Sequence, residues 1–511
     1  MNKFCEECGA PLEAGLKFCE SCGAPVPQEE DAKVVSDFSI SDAGRQWQEF
    51  ADSSDAENGI LLTDINALLN CISNASRQDI AEVLDNYVAA CKTRGVNYLA
   101  IDKSFSSVEQ CVAFISDLHG CAKIDNLFIV GNEKVIPVQV WKNECGDSDA
   151  NVEADLPYST LNCDSPWSGV DYGHFENTIN VGRLPVWQDE TLREFKFYFE
   201  NAARHSKISS YKTYALSALQ WEDTSKRVYS KFKNGSELKL SPDVTKYNVS
   251  ETISNDANIF MFNLHGGGSD SQCEWYGQDG SDYPEAFSPD NACKIYTPFI
   301  ICVEACYGAK YIGLGKRQSI VLSAMTNGCL GLLGSSKIAY GTPSGDGCCA
   351  DIIVGAFYNS LLKGGSLGES CQKARQMLIP GKMGDEDDST IKTLAEFSLY
   401  GDPSLRPFGT AKAKPKIFSK IANRSIRVEL PDVRHAVALE IASVNEKIMQ
   451  SVNEQVYKSV KQMDGLTPKV FKMKNKNMYQ ALYSKSENNF TTFAKAYFDD
   501  SGRVKKLYLS K

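Results

Sequence analysis

The chain has 511 residues, 42% hydrophobic and 23% charged, the make-up of a soluble globular protein of two or three domains. No apolar run approaches the roughly 18 residues of a membrane-spanning helix, and the N-terminal "MNKFCEECGA" lacks the apolar core of a secretory signal. The net charge of −11 is uneven: residues 410–511 carry +11, from 20 Lys+Arg against 9 Asp+Glu, and the remainder carries −22.

Two Cys-x-x-Cys turns come first. Cys5 with Cys8, and Cys19 with Cys22, are each followed by Gly-Ala-Pro. Four thiolates on two such turns suit the tetrahedral preference of Zn²⁺. So short a segment has almost no core, and bound metal would supply its folding energy. Residues 1–25 resemble the short zinc ribbons at the ends of many bacterial proteins, which implies one structural Zn²⁺; a redox dithiol is the alternative. Residues 26–57 are polar and acidic and read as a linker passing into a short helix near Trp47. The other fourteen of the 18 cysteines follow no repeating spacing, and Cys71, Cys302 and Cys329 sit in apolar contexts. That usage points to reduced thiols and a cytoplasmic location rather than a disulfide scaffold.

From residue 58 the pattern is α/β. "RQDIAEVLDNYVAACKTRG" spaces its apolar residues as a helix and ends on Gly95. "VNYLAID" predicts a strand, "SSVEQCVAFISDLHGC" a helix with His119 near its end, and "NLFIVG" a strand that stops at Gly131. Further on, "NIFMFNLHGGG", "TPFIICVEAC" and "GCLGLLGSS" are strand-like. "GCCADIIVGAFYNSLLKGG" and "SLGESCQKARQML" are helical, the first entered through a Gly345–Gly347 loop. Strands alternating with helices imply a mostly parallel sheet flanked by helices over residues 58–408.

Residues 409–511 differ. "PKIFSKIANRSIRVELPD" is strand-like. "RHAVALEIASVNEKIMQSVNEQVYKSVKQM" predicts one long helix, and "FTTFAKAYFDDSGRVKKLYLSK" a hairpin turning at Asp500-Ser501-Gly502. The result is a small basic α+β module. Its charge implies docking onto the acidic body or an anionic partner, with two plain solvated surfaces as the bland alternative.

Two predicted strands end on reactive side chains, one at His265 before three glycines and one at Cys306. In a parallel sheet, chemistry gathers beyond the carboxyl ends of the strands. If these strands are neighbours, the imidazole and the thiol emerge side by side. A cysteine beside an imidazole can be held as thiolate and attack a carbonyl carbon. The amides of Gly266 and Cys306 are then placed to bind the developing oxyanion.

His-Gly after one strand and Glu-Ala-Cys-x-Gly after the next resemble the caspase-like cysteine peptidases, above all their gingipain-like branch. "NLFIVGNEKVIPV", "EADLPYSTL", "INVGRLPV" and "SLYGDPSLRPF" resemble further motifs of that branch, in order, over about residues 58–408. The resemblance implies a caspase-like α/β fold and a cysteine endopeptidase with His265 and Cys306 as its dyad. It also implies a protein or peptide substrate and no cofactor in the reaction. Asp155 fits by position as a residue orienting the histidine, with Glu153 second; an ordinary loop carboxylate is the equal alternative. Pocket charge selects the P1 residue in this group, so Asp164 and Asp171 in "NCDSPWSGVDYG" imply a basic one. Glu304 lies two residues before Cys306, on the same face in strand geometry; it lines that pocket or, the plainer reading, caps the strand. The segment after His265, with Trp275, is expected to be a substrate-lining or gating loop.

The leading expectation is an intracellular cysteine endopeptidase regulated by its accessory domains or by a protein partner, with no membrane association. Gingipains are secreted, whereas this sequence shows no signal and adds a ribbon. A catalytically silent adaptor is the second reading, against which the intact His265, Gly266 and Cys306 argue. A nucleic-acid-responsive protein, acting through the ribbon or the lysines and aromatics of "VFKMKNKNMYQALY", is the third, and steep salt dependence would be its signature.

Overall fold

The computed structural model describes residues 56–409 and 439–511, except 169–174, 176–177, 209, 269–272, 296–297, 346, 380–382, 385–386, 474–476 and 488–489. The ribbon cysteines, the linker with Trp47 and the strand-like segment 415–432 lie outside the described residues.

Ten short apolar runs form one sheet. In chain order they are β1 (Glu57–Thr63), β2 (Val96–Asp102), β3 (Asn126–Val130), β4 (Asn180–Leu184) and β5 (Thr213–Ala218). Then come β6 (Lys239–Ser241), β7 (Ile259–Asn263), β8 (Phe299–Val303), β9 (Cys329–Ser335) and β10 (Phe397–Tyr400). Every residue of β3, β7, β8 and β9 is buried, as expected of strands covered on both faces. Their spatial order is β6-β5-β7-β8-β9-β10-β4-β3-β1-β2. Neighbours run parallel except β9 and β10, which are antiparallel. The sheet is therefore two five-stranded halves running in opposite directions.

Helices flank it. The first, Arg77–Thr93, starts at a capping box between Ser76 and Asp79 and stops just before Gly95, at φ +83°. The next, Val108–Cys121, ends two residues past His119, whose Nδ1 accepts from the Ile124 amide at 3.1 Å. The Tyr-Gly-Asp-Pro-Ser segment that begins at the last residue of β10 is a structural tie. Asp402 accepts from the Tyr87 and Tyr98 hydroxyls (2.6 and 2.5 Å) and from Arg94 (2.7 Å), so it binds β10 to the first helix and to β2.

The C-terminal module is an antiparallel sheet of β11 (Leu439–Ile441), β12 (Lys469–Met473), β13 (Met478–Glu487), β14 (Phe490–Asp499) and β15 (Val504–Ser510). The predicted single helix is instead a strand followed by a helix over Glu446–Ser459, because Asn445 caps the chain there by accepting from the Lys447 amide. β12 and β13 were hidden in the lysine-rich stretch. The hairpin at 500–502 joins β14 to β15 as the sequence predicts.

The module's sheet continues onto the body. β15 pairs antiparallel with the two-residue strand Tyr340–Gly341. Lys495 is buried at the seam, donating to the Cys145 carbonyl at 2.6 Å and lying 4.3 Å over the Tyr340 ring. The Tyr508 hydroxyl donates to Asp387 at 2.7 Å.

Candidate active site

β7 and β8 are parallel neighbours, with Phe262 opposite Val303, so the residues that follow each emerge at the same sheet edge. There the two chains touch. A Cβ built on Gly266 would lie 1.5 Å from the Cys306 carbonyl oxygen and 2.9 Å from its nitrogen, so only glycine fits. After Cys306 the chain turns away through Tyr307 in the left-handed region, at φ +51°.

His265 is buried between the Trp221 and Tyr283 rings, whose centroids lie 5.5 and 5.1 Å away. Its Nε2 is 2.8 Å from the Gln278 side-chain oxygen. The Gln278 amide nitrogen donates to Gly280 (3.1 Å) and to Gln462 of the C-terminal module (2.6 Å), which leaves the oxygen to accept. The histidine proton therefore sits on Nε2, and Nδ1 carries the lone pair. Burial lowers the imidazole pKa to about 4; the Gln278 bond opposes this, and the Lys511 ammonium adds to it. Burial likewise pushes the Cys306 thiol well up, against the pull of its bond to the Ala339 carbonyl, and Glu396 and Asp149 add to the rise. In this state thiol and imidazole are both neutral.

The space in front of them is filled by the end of β15. The Gly266 and Cys306 amides donate to the Lys511 main-chain oxygen at 3.5 and 3.2 Å. The Lys511 amide donates to Ala339 at 2.9 Å, and Ser510 and Leu509 pair with Tyr340 and Gly341. The Lys511 side chain enters a closed pocket over Gly341, where a Cβ would lie 1.9 Å from its Cε. Its Nζ donates to Glu304 and Asp351 at 2.7 Å each and to Asn263 at 2.8 Å, and it lies 4.6 Å over the Trp221 ring. Three N–H donors meet three acceptors.

Asp351 reaches the pocket because it stands in the first turn of the helix Cys349–Leu362. Its other oxygen accepts from the Cys348 and Thr342 amides at 3.0 and 3.1 Å. Burial raises the Glu304 carboxyl, the Asp351 charge adds to this, and Lys511 pulls it back. Burial alone would lower the Lys511 ammonium, but Asp351 and Glu304 raise it above its ordinary value.

Several sequence expectations are corrected here. Asp155 does not serve the histidine: Arg183 holds its carboxylate at 2.7 and 2.8 Å, and His265 is oriented by Gln278. Glu153 pairs with Lys337 at 2.8 Å. Both line an open cavity of about 210 Å³ that contains neither His265 nor Cys306. Asp164 is exposed, away from the pocket, and Asp171 lies outside the described residues. Trp275 is core, stacked 5.3 Å from Phe287; the aromatic wall of the pocket is Trp221. Glu304 points into the pocket and is not a cap. The segment after His265 is a three-stranded antiparallel sheet (His265–Gly268, Cys273–Tyr276, Glu285–Phe287) rather than a loop. Asn263, Asp351, Trp221 and Gln278 escaped the sequence reading. One signal was available: Asn263 is a polar residue in an otherwise apolar buried strand, two positions before His265.

Fold and sequence agree on the class, a cysteine endopeptidase of caspase-like architecture. The profile described as Peptidase family C25 matches residues 88–408, more than half of the chain, and the chain belongs to that family. Two solved structures share the fold. The crystal structure of the Arg-specific cysteine proteinase gingipain R (RgpB) aligns with a TM-score of 0.50 and 11% identity, over 89% of this chain and 91% of its own. The complex of Porphyromonas gingivalis RgpB pro- and mature domains aligns with a TM-score of 0.50 and 10% identity, over 89% and 93%. No curated protein matches the sequence. Among the described residues, no helix is long and apolar enough to cross a membrane, and no group of His, Cys, Asp and Glu is arranged to hold a metal ion.

Proposed function

We propose that this peptidase cleaves on the carboxyl side of lysine, with Cys306 as nucleophile and His265 as proton carrier. His265 Nδ1 takes the thiol proton, and the sulfur attacks the carbonyl carbon of the P1 residue. Negative charge develops on the carbonyl oxygen between the Gly266 and Cys306 amides. The proton on Nδ1 then passes to the leaving amine, and a thioester remains on Cys306. Water, deprotonated by Nδ1, attacks the thioester carbon; the C–S bond breaks, the new carboxylate leaves, and Nδ1 returns the proton to the sulfur.

The observation that carries this reading is one geometry: the main-chain oxygen of Lys511 lies against both amides while its ammonium sits among Glu304, Asp351 and Asn263. Those three acceptors converge on a single nitrogen. An arginine spreads its donors over a planar fork and fits such a point poorly. None of the fourteen described cysteines forms a disulfide, which supports an intracellular setting. Lys495 and Lys511 are buried against the acidic body, which favours docking over polyanion binding as the role of the module's charge.

The test is a fluorogenic peptide panel with Lys, Arg, Asn or Asp at P1, run in the Lys511→Ala background so that the pocket is open. Cleavage after lysine, lost on adding Cys306→Ala, is expected. Turnover after Asp alone would sink the pocket assignment.

A further inference from the structure

The site is closed by its own chain, and the manner of closure is specific. We propose that β15 is a substrate-mimicking inhibitor: Tyr508–Lys511 lie in the cleft as the P4–P1 residues of a bound peptide, and other chains are cut only when this segment leaves. The inference rests on the lysine-directed peptidase reading above.

Three independent contacts place the segment as a substrate rather than as ordinary packing. Its backbone extends the body's sheet, pairing antiparallel with Tyr340–Gly341 and donating from the Lys511 amide to Ala339. Adding a strand to an exposed edge is a general mode of peptide recognition, with side-chain pockets setting specificity. The Lys511 main-chain oxygen takes the position between the Gly266 and Cys306 amides, and the Lys511 amide and the Cys306 thiol donate to the same Ala339 carbonyl. The ammonium satisfies two buried carboxylates that no other lysine or arginine of the described residues is placed to neutralise. A lysine recruited only to neutralise Glu304 and Asp351 would need its side chain there; nothing would require its main-chain oxygen at the reacting groups.

The rest of the module holds the strand in place. Tyr508 is bonded to Asp387, and Phe490 stacks on Tyr283 at 4.9 Å. Gln462 bonds the Gln278 that orients His265. Held this way, the segment acts at an effective concentration of about millimolar or more. Peptidase substrates compete with KM values of about 1 μM to 1 mM. A tethered tetrapeptide therefore outcompetes most free chains, and activation requires the strand end to be displaced or removed.

The test is the rate at which a lysyl acyloxymethyl ketone labels Cys306 in the full chain. Lys511→Ala is expected to label at least about 10-fold faster than wild type, because the tethered competitor is gone. Millimolar Leu-Ser-Lys peptide is expected to slow that variant again. Tyr508→Ala keeps Lys511 and the pocket intact but frees the strand end, and is expected to fall between the two. Equal rates in wild type and both variants, with unchanged thermal unfolding, would overturn self-inhibition and leave the peptidase reading standing. Slower labelling in Lys511→Ala would show a purely structural lysine and overturn it too. Absence of labelling in every chain, all folded, would overturn the nucleophile assignment and the inhibition with it.

Discussion

Each half of the sheet buries a cation against carboxylate, and the two are built differently. On β4, Arg183 meets Asp155 through two nitrogens and also donates to the carbonyls of Gly131, Asn132, Ile136 and Pro137. All its partners come from the same half, within 52 residues of it along the chain. In the other half, Glu304, Asp351 and Asn263 have no such neighbour. Their cation, Lys511, comes from 160 to 248 residues away, at the end of a separate module's strand. A buried charge that its own domain neutralises is part of the fold. On the reading proposed above, a buried charge left for a distant segment to neutralise is a binding site with its occupant in place.

The largest effect expected from this contrast is on stability. Arg183→Met strands Asp155 in the interior, and the urea midpoint should report a loss of about 3–5 kcal/mol. The same variant, where folded, should keep the lysine preference proposed above. A shift in P1 preference would break the contrast by tying Arg183 to the pocket.

The second effect is pH-dependent and belongs to the site half. His265 has its pKa lowered to about 4 by burial. Between about pH 6.5 and 4 the unfolded chain takes up a proton there that the folded chain does not. Stability should therefore fall as pH drops through that window, by up to about 3 kcal/mol, and level off below it. Denaturant unfolding of wild type against His265→Gln should show their difference drifting by that amount. In Lys511→Ala, where solvent reaches the ring and the ammonium is gone, the window should narrow.

The smallest effect is on catalysis. Glu304→Gln keeps the shape of the pocket and one acceptor but loses its charge. A hydrogen bond to a charged group contributes about 1.5–3 kcal/mol, so kcat/KM for lysyl peptides should fall about 10- to 100-fold in the Lys511→Ala background. Unchanged kcat/KM would mean that Asp351 alone carries the selection.

The part of the candidate site that is legible in the sequence is the part that follows directly on local pattern. His265 and Cys306 each come immediately after an apolar strand, and Gly266 follows the histidine because two backbones meet there. What misled was proximity to a motif. Asp155 and Asp164 stand near gingipain-like segments, yet one is bound by Arg183 and the other faces solvent. The single helix expected after residue 434 failed because helical spacing of apolar residues does not reveal the Asn445 cap that starts the helix later.

The sequence by itself determined the run of strands and helices, the strand ends that carry His265 and Cys306, and the membership of a cysteine peptidase family, because each is written in contiguous residues. Only the tertiary structure decided which charges share a cavity. Strand order brought Asn263 beside Glu304, a helix N-terminus turned Asp351 inward, and a remote module carried Lys511 between them. Such neighbours are chosen by chain crossings hundreds of residues apart, and no local periodicity encodes them.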